Sequence, residues 1–175
     1  METAGTTDKS TGRKKRQRFF FFLIFLLLLA AAFGFYRIQK GPLYLVVSAP
    51  PEGEVIYRIP VKEGQEFALK YTHSVTQRPV EGTFLITADK KIKPLTTSYD
   101  AFGPGLPYLD GSLEYTLEEG LITVFHVEEP RENIRLFASP LTGEVLRVEG
   151  RDYDLGNLRP EPFLLEIAPR AGAFF

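Results

Sequence analysis

YTHSV at 71–75 sets one of the chain's two histidines beside a serine, the residue types of a general base and of the hydroxyl it could activate. The surrounding run EFALKYTHSV (66–75) alternates like a strand, and successive strand side chains point to opposite faces. Phe67, Leu69, Tyr71, His73 and Val75 are then expected on one apolar face, with Lys70, Thr72 and Ser74 on the other. His73 and Ser74 diverge, which argues against a base activating its own neighbour. With TQRP (76–79) as the connecting loop, VEGTFLIT (80–87) returns antiparallel. That register sets Val75 opposite Val80, His73 opposite Gly82, Tyr71 opposite Phe84 and Leu69 opposite Ile86. On the other face it sets Ser74 across from Glu81 and Thr72 across from Thr83. A glycine opposite an imidazole leaves room for another backbone, a water or a ligand. The plainer alternative is a core histidine hydrogen-bonded to a neighbouring loop.

A second stretch, SYDAFGPGLPYLDG (98–111), concentrates glycine and proline between Gly103 and Pro107 and predicts a stiff loop with exposed amides. Such a loop either forms an anion-accepting concavity or turns a corner. It does not match a phosphate-binding loop, since no lysine follows and no helix begins there. With no cysteine, thiolate metal sites, disulfides and cysteine nucleophiles are excluded, and two histidines rule out a histidine-rich metal site. No cofactor or metal site is read. His126, in LITVFHVEEP, reads as a strand-end histidine beside solvated glutamates. Glu118 and Glu119 read as turn residues. Asp152 and Asp154 lack the further oxygens of a calcium loop.

The elements that must position these residues are strands. Beyond Gly41-Pro42, runs rich in β-branched and aromatic residues recur between Gly, Pro, Asn and Asp: 43–48, 54–59, 66–75, 80–87, 92–99, 112–117, 121–127, 133–139 and 144–149. No helical apolar stripe interrupts them. The expectation is an all-β antiparallel sandwich or barrel of about 8–9 strands over 41–150. LEYTLEEGLITVF reads as a hairpin with Gly120 in the left-handed position of a three-residue turn. The proline-bearing tail 151–175 reads as irregular, although LLEI within it could add an edge strand.

Ahead of that domain the charge changes sign. Residues 1–40 carry eight of the 21 basic residues and two of the 22 acidic ones, leaving 13 basic against 20 acidic, a balance of −7, from Gly41 onward. An acidic domain repels a phosphate backbone, so a nucleic-acid partner is not expected. RKKRQR (13–18), closing a basic tail 1–18, precedes the uncharged FFFFLIFLLLLAAAFGF (19–35), which as a helix covers about 25 Å. With Tyr36 and snorkelling Arg18 and Arg37, a segment 19–36 reaches across a bilayer. The basic excess on its N-terminal side predicts a single-pass signal anchor in the cell membrane, with the N-terminus cytoplasmic and the β domain extracytoplasmic. Ala30, Ala31 and Ala32 offer the alternative of a cleavable signal peptide, but the apolar run exceeds the usual signal core.

YTHSV, then Pro79-Val80-Glu81 with Phe84, then Phe102, two glycines and Leu106-Pro107 together resemble the small bacterial family known as domain of unknown function 1850. The resemblance spans about Leu43 to Val148, with HSV and GxGLP as its specific marks. It implies a short exported or anchored protein, often encoded beside TAXI-type TRAP transporters, which use an extracytoplasmic solute receptor. Its motif positions here are Tyr71, His73, Ser74, Val75, Glu81, Gly103, Gly105 and Pro107. Thr76 stands where an acidic residue is common, and Gly82 where a second glutamate often follows Glu81. Three functions stand open. One is a ligand- or partner-binding accessory module using Tyr71, His73, Ser74, Glu81, Gly103, Gly105 and Pro107. Another is a structural envelope module without ligand. The third is a hydrolase with His73 as base and Ser98, Tyr99 or Asp100 nearby.

Overall fold

In the computed structural model the chain divides into two compact units, Met1–Gly41 and Pro42–Phe175. Residues 10–39, 41–109, 111 and 113–172 are described, and within the first unit the side chains of 18–32. The first unit holds helix α1 (Ser10–Gln39). The apolar side chains from Phe19 to Leu29 are exposed, and the helix is apolar on every side there. Among the described residues no helix is long and apolar enough to cross a membrane. Positions 1–9 of the expected cytoplasmic tail and the side chains at 33–36 of the expected span lie outside the described residues.

The second unit is all β. Its strands are β1 (Leu43–Ala49), β2 (Glu54–Val61), β3 (Glu66–Thr72), β4 (Pro79–Ile86), β5 (Ile92–Tyr99), β6 (Tyr115–Glu118), β7 (Leu121–Phe125), β8 (Ile134–Ala138), β9 (Val145–Val148), β10 (Arg151–Asp154) and β11 (Phe163–Ala171). They form two antiparallel sheets, ordered β2-β1-β11-β8 and β10-β9-β3-β4-β5-β7-β6. The apolar alternation of β1 buries Leu43, Leu45, Val47 and Ala49. They meet Phe67, Leu69, Leu146 and Val148 of the larger sheet in one core completed by Leu165 and Ile167, the packing of a sandwich. A second, smaller cluster of Val80, Tyr99, Ile122 and Val124 lies farther along the large sheet. There the cover is a loop, whose Leu106, Leu109 and Leu113 pack on it with Tyr71.

Three expectations are corrected. The tail beyond residue 150 is not irregular. Glu149 and Gly150 both have positive φ and turn β9 into β10, and β11 runs between β1 and β8 in the interior of the small sheet. Pro160 and Pro162 precede β11, and Pro169 sits near its end, so the prolines spare its middle. The β6–β7 turn has two residues, with Glu118 paired to Leu121 and both Glu119 and Gly120 at positive φ, the backbone of a type I′ hairpin. Ser112 of the expected strand 112–117 lies outside the described residues.

The third correction bears on the site. β3 stops at Thr72, which pairs with Pro79, so that Tyr71 lies opposite Val80, Lys70 opposite Glu81, Leu69 opposite Gly82 and Phe67 opposite Phe84. The register differs from the expected one by four residues on each strand. It does so because 73–78 form a closed loop, with the His73 amide donating to the Arg78 carbonyl and the Gln77 amide to the His73 carbonyl, each at 2.8 Å. An even slip preserves the faces of β3 and β4, but it removes His73 and Ser74 from the strand and leaves Val75 exposed. The gap at Gly82 is filled from its own strand, since a Cβ there would lie 3.1 Å from the Phe84 ring.

Candidate functional site

His73 is buried and fixed from both sides. Its Nδ1 lies 3.2 Å from the backbone nitrogens of both Val75 and Thr76, which donate to it. A ring nitrogen that accepts carries no proton, so the proton is on Nε2, which donates to the Pro104 carbonyl at 3.0 Å. The imidazole thus shapes the 73–78 loop with one nitrogen and ties it to the glycine-rich loop with the other. Room for the ring comes from Gly103, where a Cβ would meet His73 Cε1 at 2.8 Å and Thr76 Cγ2 at 2.9 Å. Arg78 and Asp100 make a second tie between the same loops, with Arg78 Nε donating to Asp100 Oδ1 at 3.0 Å and a second guanidinium nitrogen on the other oxygen. The Arg78 hydrogen bond holds the Asp100 carboxyl below its ordinary pKa.

A third loop joins them. The Thr72 amide donates to the Thr142 carbonyl at 2.8 Å, drawing the 139–144 turn against the base of the hairpin. Between the three loops lies a cleft of about 420 Å³, whose walls include Tyr71, His73, Ser74, Gly105, Ser139 and Glu144. Glu144 is 5 % exposed; its Oε2 accepts the Ser139 amide at 2.8 Å. Burial, and after it the charge of Glu144, push the Tyr71 hydroxyl above its ordinary pKa, so the phenol remains a donor. The Ser139 and Thr142 hydroxyls lie 3.0 Å apart.

Of the residues expected to form a site, Tyr71, His73, Ser74 and Gly105 line this cleft together. Gly103 touches it through His73. Pro107 lines an adjoining hollow with Tyr71 and Gly105, and its carbonyl accepts the Tyr99 hydroxyl at 2.6 Å. Glu81 lies elsewhere: it pairs with Lys70 at 2.9 Å across β3 and β4 and does not face Ser74. The groups expected to assist His73 in hydrolysis are engaged otherwise, Ser98 with the Thr123 hydroxyl at 2.9 Å and Asp100 with Arg78, while Tyr99 is buried.

Sequence reasoning missed Glu144, Ser139 and Thr142. The turn composition of 140–143 marks a loop ahead of β9, but nothing in it signals a buried carboxylate. His126 stands at the end of β7 beside exposed Glu128 and Glu129, as its sequence context predicts. That ring is largely covered, with Nε2 2.8 Å from the Thr97 hydroxyl and Nδ1 3.7 Å from Glu128, and it lines the hollow that holds Pro107. Among the described residues no three histidine, aspartate or glutamate side chains are grouped to hold a metal ion.

Two antiparallel sheets with three cross-tied loops around a polar cleft define a small β-sandwich module whose individuality resides in its loops. The chain belongs to the family described as Domain of unknown function (DUF1850), whose model matches residues 67–155. No curated protein and no solved structure matches it. The matched segment contains His73, Gly103, Gly105 and Glu144 but not β1, β2 or β11. The family thus coincides with the large sheet, β8 and the site rather than with the whole sandwich.

Proposed function

We propose that the protein is a membrane-anchored, extracytoplasmic β module that binds a small ligand or partner and serves a TAXI-type TRAP solute transporter. The observation that carries this reading is the convergence of the loops 73–78, 100–107 and 139–144 on one polar cleft beside Tyr71. Loops held by a rigid scaffold are where sandwich domains carry binding, and a cleft of this size suits a small solute. In this reading Tyr71, Ser74 and Gly105 line the site, while His73, Gly103 and Pro107 hold its shape. The anchor rests on the uncharged run 19–35 behind five basic residues at 13–18, with the N-terminus inside. The transporter association rests on the resemblance of the YTHSV and GxGLP motifs.

A structural envelope module without ligand is the second reading, favoured by one observation: both nitrogens of His73 are spent within the protein. The same observation weighs against His73 as a hydrolytic base, which needs a free nitrogen. The test is fractionation of intact cells followed by external protease and affinity purification. The expected outcome is a membrane-bound chain whose β domain is cleaved from outside, co-purifying with transporter or receptor subunits. Recovery in the cytosol overturns the anchor. A membrane-bound chain that captures neither subunits nor solute favours the structural module.

A further inference from the structure

We infer that the cleft takes a ligand bearing a cationic nitrogen, an ammonium or quaternary ammonium group, which the Glu144 carboxylate receives against the Tyr71 ring. This rests on the binding reading above and names the chemistry of that site. Glu144 is 95 % covered, its Oε2 is satisfied by the Ser139 amide, and among the described residues no Lys, Arg or His pairs with it. Removing a carboxylate from water without a counter-charge is costly. Closing the 139–144 turn does not require the charge, because a glutamine oxygen would accept the same amide. The negative charge is therefore in excess of what the fold uses, and it lines a cleft.

The other walls suit the same group. Tyr71 and Phe137 are aromatic residues of the cleft wall, the side-chain type whose rings attract ammonium ions. The Ser139 and Thr142 hydroxyls supply further acceptors. Among the described residues no Lys or Arg lines the cleft, and the one imidazole there, His73, has both ring nitrogens engaged within the protein, so no cationic side chain is free to pair with a carboxylate or phosphate. A lipid headgroup and a free solute could both present such a nitrogen, and the experiment distinguishes them.

The test uses the full chain in a maltoside micelle, which carries no ammonium group, and follows the proton resonances of added choline, ethanolamine and putrescine at millimolar concentration. Choline is compared with 3,3-dimethylbutan-1-ol, which keeps its shape without its charge. Expected is binding of the amines, at least about tenfold weaker binding of the neutral isostere, and a loss of about tenfold or more in Glu144→Gln. The variant retains the acceptor for Ser139, and should it fail to fold, the choline and alcohol comparison on the unaltered chain still decides. Equal binding of the alcohol, or no binding of any amine, overturns the inference. Binding of glutarate or of neutral solutes in place of amines, at a site abolished by Ser139→Trp, would overturn the cation while leaving a ligand-binding module intact. In nanodiscs, choline binding lost only with phosphatidylcholine identifies a headgroup as the occupant; binding retained in both phosphatidylcholine and phosphatidylglycerol identifies a free solute.

Discussion

Replacing His73 by asparagine separates the two tasks of the imidazole. The asparagine oxygen stands where Nδ1 does and accepts the Val75 and Thr76 amides, but it cannot extend to the Pro104 carbonyl. At about 1 kcal/mol for each net hydrogen bond, His73→Asn should lower stability by about 1 kcal/mol and His73→Ala by about 2–4 kcal/mol. Amide exchange at Thr76 should remain slow in the first and become fast in the second; equal exchange would show that Nδ1 does not order the loop. Gly103→Ala introduces a Cβ 2.8 Å from a ring that hydrogen bonds hold on both sides. The expected cost is about 1–3 kcal/mol, measurable by thermal denaturation. Alternation along β3 correctly separated Tyr71 from Lys70, but periodicity does not mark where a strand ends. By periodicity alone His73 falls on a strand face opposite Gly82, whereas its steric partner in the fold is Gly103, thirty positions on. Glu144 was illegible for a different reason: a buried carboxylate is an exception to patterning.

At the scale of elements, β11 is the decisive one. It pairs with β1 from Leu43↔Ala171 to Ser48↔Glu166 and with β8 from Phe163↔Ala138 to Ile167↔Ile134, and it buries Leu165 and Ile167. Ending the chain after residue 161 should strip backbone partners from two strands and remove two core side chains, each contributing about 1.5–3 kcal/mol. That total is comparable with the whole stability of a domain, so the truncated protein should lack a cooperative thermal transition. A retained transition would show that the large sheet folds alone. The early strands were legible because β1 alternates cleanly between buried and half-buried positions. β11 was not, because prolines on both sides of its centre mimic a coil and because its neighbours come from distant parts of the sequence.

For the whole molecule, pH should act through carboxylates that the fold holds ionised. Asp89, Asp100, Asp152 and Asp154 all lie below their ordinary pKa, chiefly through hydrogen bonds from Thr87, Arg78, Arg147 and Asn157. A pKa lower in the folded chain than the unfolded value near about 3.9 gives stability that is present above that value. It is lost as pH falls through the folded values. The melting temperature should therefore hold from neutral pH to about 5 and drop below about 4, with a shallower fall in Asp100→Asn. An identical acid slope in that variant would detach the Arg78 pair from stability. Asp89, Asp152 and Asp154 are exposed and Asp100 is half-buried against an exposed Arg78, so added salt should weaken the contribution of the ion pairs.

The pairing of Leu43 with Ala171, sealed by the Gly172 amide on the Pro42 carbonyl at 2.8 Å, places the two ends of the β domain side by side. The small sheet cannot close until β11 is available to pair with β1 and β8, which makes its completion a late event in folding. Contacts this distant in sequence also slow folding. The same adjacency makes the domain a candidate for circular permutation, with a short linker joining 172 to 42 and new termini opened at the Glu119-Gly120 turn.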